Sequence, residues 1–290
     1  TSIAVKQSIE KILDMTRGAG AEFAPGLVLR EDNGNLHMEA GTNDGPLLVR
    51  MPEACLIPPA DFRFGLEGEK LMAMAEPGVA PLRAQLMQAT LDLYNLTGKL
   101  ATHKRSVPWW LAAEYPEVLE HILRLRDNPT LRGYAEAVRS GPDDGFLVET
   151  FFLTRTLAIK KDGRTMRMLM PVIDFMNHHH QGAAFNTITD QRGFAIGMLK
   201  TQPVAGSAEC FARYGDYDAL TTWLHYGFAD EHAPDAPADG QMIDVSHIYY
   251  EDFRKTLEKL KVKKPDLEHA RTIALRLCEL QLKRLKSRAA

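Results

Sequence analysis

The sequence predicts an α+β fold, and three observations carry that expectation. Short strand-like runs bounded by turn residues occupy 26–51 and 193–199. Apolar residues at helical spacing dominate 62–140. Two amphipathic stretches, about 247–261 and 265–286, close the chain after an Ala-, Pro- and Asp-rich segment at 229–240. With 290 residues the chain can bury a substantial core, and 45% hydrophobic with 25% charged residues is an ordinary globular composition.

Taken in order, Val5 to Met15 carries Ile9, Ile12 and Leu13 on one helical face. Asp32-Asn33-Gly34 between two apolar runs reads as a hairpin turn, because Asn and Gly tolerate positive φ. Residues 62–140 read as mostly helical. Leu86, Leu93, Leu96 and Leu100 mark one helix there, and Pro108 starts another with Trp109, Trp110, Val118 and Leu119. Asn128-Pro129 and Gly141-Pro142 are breaks, and Phe146 to Leu157 is a further helix ending near Arg155. Short strands follow, including Gly193 to Leu199 and an alternating Cys210, Ala212, Tyr214 pattern, with a turn at Val204-Ala205-Gly206.

Several partner classes are disfavoured. No run approaches the roughly 18 apolar residues that span a bilayer, and no signal peptide is visible, so no membrane partner is expected. Cys55, Cys210 and Cys278 are odd in number and far apart, which fits a reducing, cytoplasmic setting. A formal net charge of −3 gives no reason to expect nucleic-acid binding. Lys261, Lys263, Lys264, Lys283, Arg284, Lys286 and Arg288 cluster near the end. A solvated helix face accounts for them; a basic surface for an acidic peptide is the functional alternative.

The densest chemical signal runs from Pro171 to Phe228. An apolar run ends abruptly in Asp174, Asn177 and His178, so a buried segment delivers polar side chains to one point. Tyr214 arrives from a second segment. His178, His179 and His180 are consecutive, and neighbours on an extended chain point to opposite faces, so they do not converge on one metal ion.

Four motifs in order resemble the SET-domain methyltransferases, in the branch with a helical insert typified by Rubisco large-subunit lysine methyltransferases and actin histidine methyltransferases. They are Thr154-Arg155, Pro171-Val-Ile-Asp174-Phe-Met-Asn177-His178, Arg213-Tyr214-Gly215 and His225-Tyr226-Gly227-Phe228. Gly45-Pro-Leu-Leu-Val-Arg-Met-Pro52 resembles the family's early strand, and Trp109 or Trp110 before Tyr115-Pro116 is similar to a signature of its insert. The resemblance covers roughly 25–230. It implies a fold of small β-sheets over 1–245, with a helical insert at about 62–150 and a reduced C-terminal substrate lobe at 246–290.

What the resemblance implies for function is S-adenosylmethionine-dependent N-methylation of a protein or peptide side chain, lysine first, with histidine or an amide behind it. The alternative is a non-catalytic SET-like module that binds a peptide. Tyr214 would be the catalytic tyrosine. Asn177 and the backbone of His178, in the run with Phe175 and Met176, would hold the amino-acid end of the cofactor. Asp174 and Arg155 would order that pocket, and Tyr226, Gly227 and Phe228 would line it, Phe228 near the adenine. Thr156, Tyr214 and Tyr226 would face the substrate. In place of the family's Gly-x-Gly-Leu-like turn stands Asn33-Gly34-Asn35-Leu36, so Asn33, Gly34 and Asn35 complete the implied cofactor set. The chemistry suits these residue types. Methyl transfer needs a neutral nitrogen aligned with the S–CH₃ bond, so positioning matters more than a strong base.

Overall fold

The computed structural model describes residues 2–40, 45–204, 206–234 and 246–289. The chain opens with helix α1 (Ile3–Gly18), whose N-terminus is capped by the Ser2 hydroxyl accepting from the Val5 amide. Strands β1 (Glu22–Phe23), β2 (Val28–Asp32), β3 (Asn35–Glu39) and β4 (Leu47–Pro52) follow, then a hairpin of β5 (Phe62–Glu67) and β6 (Lys70–Ala75). Helices α2 (Pro81–Thr97), α3 (Lys99–Ser106), α4 (Trp109–Glu114), α5 (Pro116–Leu125), α6 (Pro129–Ser140) and α7 (Asp144–Arg155) come next. Strands β7 (Thr156–Lys161), β8 (Arg164–Leu169), β9 (His178–Ala183), β10 (Asn186–Asp190) and β11 (Gly193–Leu199) precede α8 (Ala219–Tyr226), α9 (Ser246–Lys259) and α10 (Pro265–Ala289). The α+β class is as expected, with its strands in small antiparallel sheets.

By packing, the chain divides into two compact units, one of residues 1–100 and 151–215, the other of 101–150 and 216–290. In the first unit a four-stranded sheet has the order β1-β4-β11-β10, with three two-stranded hairpins beside it: β2-β3, β5-β6 and β7-β8. Strand β4 is central, which explains why Leu48, Val49, Arg50 and Met51 are buried without a break. The buried Arg50 within that run pairs with Asp190 at 3.0 Å. The expected turn at 32–34 joins β2 to β3, with Asn33 and Gly34 both at positive φ (50° and 81°).

Two expectations are corrected here. Residues 62–75 are a β-hairpin rather than helix; Glu67 pairs with Lys70 across a tight turn with Gly68 at φ 62°. The Cys210-Ala212-Tyr214 segment forms no regular strand. It makes isolated bridges only, from Glu209 to Glu39 and from Ala212 to both His178 and Ala183. Ala212 donates its amide to Asn177, and Phe211 and Arg213 bond Ala183, so the two ends of β9 close on residues 211–213. Gly182 makes that closure possible, since a Cβ there would lie 2.6 Å from the Ala212 carbonyl carbon. Of the expected turn at 204–206, Ser207 N donates to Val204 O at 3.0 Å, and Ala205 lies outside the described residues.

The second unit is helical. Val118, Leu119, Ile122 and Leu125 line one face of α5 and join Trp109, Trp223, Phe253, Leu257 and Leu277 in a single apolar core. The two C-terminal helices, read from sequence as about 247–261 and 265–286, are α9 and α10, and they pack in this core with α4, α5 and α8. Asn128 caps α6 as a break should, and Gly141 ends it. Of the linker expected at 229–240, residues 235–240 fall outside the described residues. Among those described, no helix is long and apolar enough to cross a membrane.

Candidate functional site

The 3-10 turn Ile173–Phe175 positions the first candidates, in the first unit. It is entered through Val172 at φ 73°, ψ −52°. That positive φ is strained, and for a β-branched residue it costs on the order of 1–3 kcal/mol. Such strain persists only where surrounding contacts enforce it. Here they do: Val172, Ile173, Phe175 and Met176 are all buried, and Asp174 N donates back to Met170 O at 2.9 Å.

Asp174 is thereby held with its side chain only 6% exposed. Burial pushes its carboxyl up to about 6, against the opposing pull of Arg155, Tyr94 and Lys99. The Tyr94 hydroxyl donates to it, and Arg155 lies 4.0 Å away. Arg155, the last residue of α7, also sits over the rings of Phe151 (5.2 Å) and Tyr94 (5.9 Å). A guanidinium backed by two aromatic faces is fixed in place and only partly hydrated. Burial drives the Tyr94 phenol well up, so it serves as a neutral donor.

Asn177 is half-buried, and its amide Nδ2 donates to Leu36 O (3.2 Å) and Glu209 Oε1 (2.7 Å). Those two bonds set the amide's orientation, with Oδ1 as its acceptor end. Glu209 is pushed up by burial and drawn down by its bond to Asn177. His178 Nδ1 accepts from the Tyr214 amide at 3.1 Å, which selects the tautomer protonated at Nε2. The Tyr214 hydroxyl donates to Met176 O at 2.5 Å, and its ring lies 5.0 Å from that of His178. Burial raises the Tyr214 phenol strongly, so it remains protonated. Two chain segments distant in sequence thus interlock at one point: 174–178 supplies the carbonyl and the imidazole, 209–214 the carboxylate and the phenol.

The turn at 33–35 adjoins this region through Leu36, whose carbonyl Asn177 uses. Gly34 N donates to Glu31 Oε1 at 2.6 Å, and a Cβ on Gly34 would stand 2.9 Å from Thr97 O. Only glycine meets both the positive φ and that approach. The Asn35 side chain accepts from Lys99 Nζ at 3.4 Å. Thr156, buried at the start of β7, donates its hydroxyl to Phe152 O at 3.0 Å and accepts from Arg167 at 3.4 Å; it finishes α7.

Tyr226, Gly227 and Phe228 belong to the second unit. Asp218 caps α8 by accepting from the Thr221 amide at 2.8 Å, and Gly227 ends that helix at φ 76°. The Tyr226 ring lies 5.8 Å from Tyr217 and 6.2 Å from Phe228. The consecutive histidines lie in and at the start of β9, with His179 and His180 rings 4.5 Å apart.

Sequence reasoning missed Tyr94, Lys99 and Glu209. Tyr94 is hidden in the apolar stripe of α2, and Lys99 falls within the run to Leu100 that reads as one helix, where a lysine passes for a solvated position. A signal did exist for Glu209, which stands five residues before Tyr214 in the segment already singled out.

No family model matches the chain. In sequence the chain is 21% identical over 242 residues to SET domain-containing protein 4 of Artemia parthenogenetica. This chain is similar to a SET-domain protein. The match takes in 74% of this chain and 60% of the relative, so the chain spans about 60% of that protein's length. The likeness is to the same family that the motifs at 154–228 resemble. Among solved structures, the SET domain of LSMT bound to lysine and AdoHcy aligns over 100% of this chain and 92% of that one, at 10% identity and a TM-score of 0.48.

Proposed function

We propose that this chain is an S-adenosylmethionine-dependent N-methyltransferase acting on a side-chain nitrogen of a protein or peptide. The observation that supports it most is the interlock of Met176, Asn177 and His178 with Glu209 and Tyr214, beside the Arg155–Asp174–Tyr94 cluster. Lysine is the first choice of target. Histidine or a side-chain amide comes second, since the small Thr156 stands after Arg155.

The residues present suit a zwitterionic cofactor. A guanidinium (Arg155) offers a cation, and the Asn177 carbonyl with Glu209 offers acceptors for an ammonium. Asn177, the His178 backbone and the 33–35 turn would hold the amino-acid end, with Asp174 keeping Arg155 in place. The bound cofactor would supply an electrophilic methyl group on a sulfonium. Tyr214 would orient the target nitrogen with its neutral hydroxyl, aided by nearby carbonyls such as that of Met176. An apolar surround would favour the neutral amine of an entering lysine. In functional terms the proposal assigns 1–245 to the SET domain, its insert at about 62–150, and 246–290 to a reduced substrate lobe.

The test is mass spectrometry of a peptide library or lysate incubated with the protein and deuterated-methyl S-adenosylmethionine. Labelled lysine, histidine or amide nitrogen is the expected result. Cofactor binding without any label in the library would favour the peptide-binding module, and no cofactor binding at all would end the proposal.

A further inference from the structure

Lys99 is a buried charge to which the proposed function assigns no role. It is 9% exposed, at the first position of α3. An ammonium has three donors, yet among the described residues Lys99 Nζ makes one hydrogen bond, 3.4 Å long, to the neutral amide of Asn35. No carboxylate of the described residues lies within ion-pair distance of it. The charged groups facing it come from three elements: Arg155 at the end of α7, Asp174 in the 3-10 turn, and Glu31 in β2. Arg155 repels it. Asp174 is engaged by Tyr94 and Arg155, and Glu31 by the Gly34 amide. Burial and Arg155 together push the lysine down to about 8, so the folded protein bears a cost for holding a cation there.

A buried ammonium is tolerated when an anion completes it. We infer that Lys99 binds the α-carboxylate of the cofactor's amino-acid end, with Asn35 holding the ammonium in place from the 33–35 turn. This rests on the S-adenosylmethionine reading above and adds a binding residue from α3 to it. The divergent Asn33-Gly34-Asn35 turn gains a role: it positions a lysine that carries the charge recognition. Tight docking of Gly34 against Thr97 fixes the turn beside the start of α3, which makes the placement rigid.

The test compares two ligands by calorimetry. S-adenosylhomocysteine carries the carboxylate, and 5′-methylthioadenosine lacks the whole amino-acid end. In Lys99→Met, affinity for S-adenosylhomocysteine should fall by about tenfold or more, as for loss of a charge-assisted hydrogen bond. Affinity for 5′-methylthioadenosine should stay within about twofold of the wild type. Lys99→Arg, which keeps a cation, should recover most of the loss; Lys99→Gln serves as the neutral variant if the methionine one does not fold. Equal losses for both ligands, or no loss for either, would overturn the assignment of Lys99 while leaving the cofactor reading intact. A wild-type protein that binds neither ligand would instead overturn that reading, and this inference with it.

Discussion

The two compact units hold their buried acids differently: Asp218 in the helical unit is held low, and Asp174 in the sheet-containing unit is held high. In the helical unit Asp218 takes hydrogen bonds from Arg126 and Thr221, and these hold its acid low despite burial. The surrounding core of Trp109, Trp223, Phe253, Leu257 and Leu277 is apolar. In the sheet-containing unit Asp174 is held high, Lys99 is held low, and Val172 is strained within two residues of the carboxylate. One interior is arranged for stability. The other keeps unfavourable features that stability alone does not explain, and such features concentrate at functional sites.

That contrast can be broken by mutation. The largest stability effect is expected in the helical core, where Trp223→Ala should cost about 3–5 kcal/mol in urea unfolding. Lys99→Met should do the reverse. A lysine whose folded value is about 8 rather than 10.5 is destabilising while it is charged. The folded state binds fewer protons between those values, so wild-type stability rises with pH there. The variant should therefore be more stable by about 3 kcal/mol near neutral pH, with the gain fading as pH climbs from about 8 to about 10.5. Denaturant melts at a series of pH values check this, and a flat difference would show that Lys99 is not buried as a cation.

Smaller effects sharpen the same contrast. Asn177→Ala should weaken S-adenosylmethionine binding by about 1.5–3 kcal/mol while costing less than that in folding stability. Unchanged affinity in a folded variant, read by calorimetry, would remove Asn177 from the cofactor set. Smallest is the effect expected on α10. Lys283 and Lys286 are exposed, whereas Arg284 donates to Glu231 O at 2.7 Å and so serves the fold. Changing both lysines to Glu should raise the apparent KM for an acidic peptide by about twofold to fivefold and weaken its salt dependence. Unaltered kinetics would leave the basic face a solvated surface.

Much of this was legible in the residues, and the failures have physical causes. Asn33-Gly34 announced its hairpin because both residues must take positive φ, and Gly193 to Leu199 read as a strand because it is a short apolar run, buried from Ala195 to Met198. Phe62 to Ala75 was missed because Met72 and Met74 are exposed on the hairpin, so its apolar residues do not report a buried face. The Cys210-Ala212-Tyr214 alternation looked like a strand, yet the segment makes only isolated pairings, with β3 beside Cys210 and with β9 at Ala212. The motif residues of the candidate site were visible because they are local in sequence. Tyr94 and Lys99 were not, since what makes them matter is burial against segments 60 or more positions away, as in the 64- and 80-residue separations of their hydrogen bonds.

The most direct test of the proposed chemistry is single-turnover methyl transfer by Tyr214→Phe beside Tyr226→Phe. Tyr214 holds its hydroxyl on the Met176 carbonyl, next to the residues proposed to hold the cofactor, and its ring packs on His178. If that hydroxyl acts in the transition state, its loss should slow transfer by about 10²- to 10³-fold with S-adenosylmethionine affinity and folding nearly unchanged. Tyr226→Phe should be mild. A Tyr214→Phe protein transferring at full rate, beside an inactive Tyr226→Phe, would contradict the assignment and move the catalytic role to the His225-Tyr226-Gly227-Phe228 element.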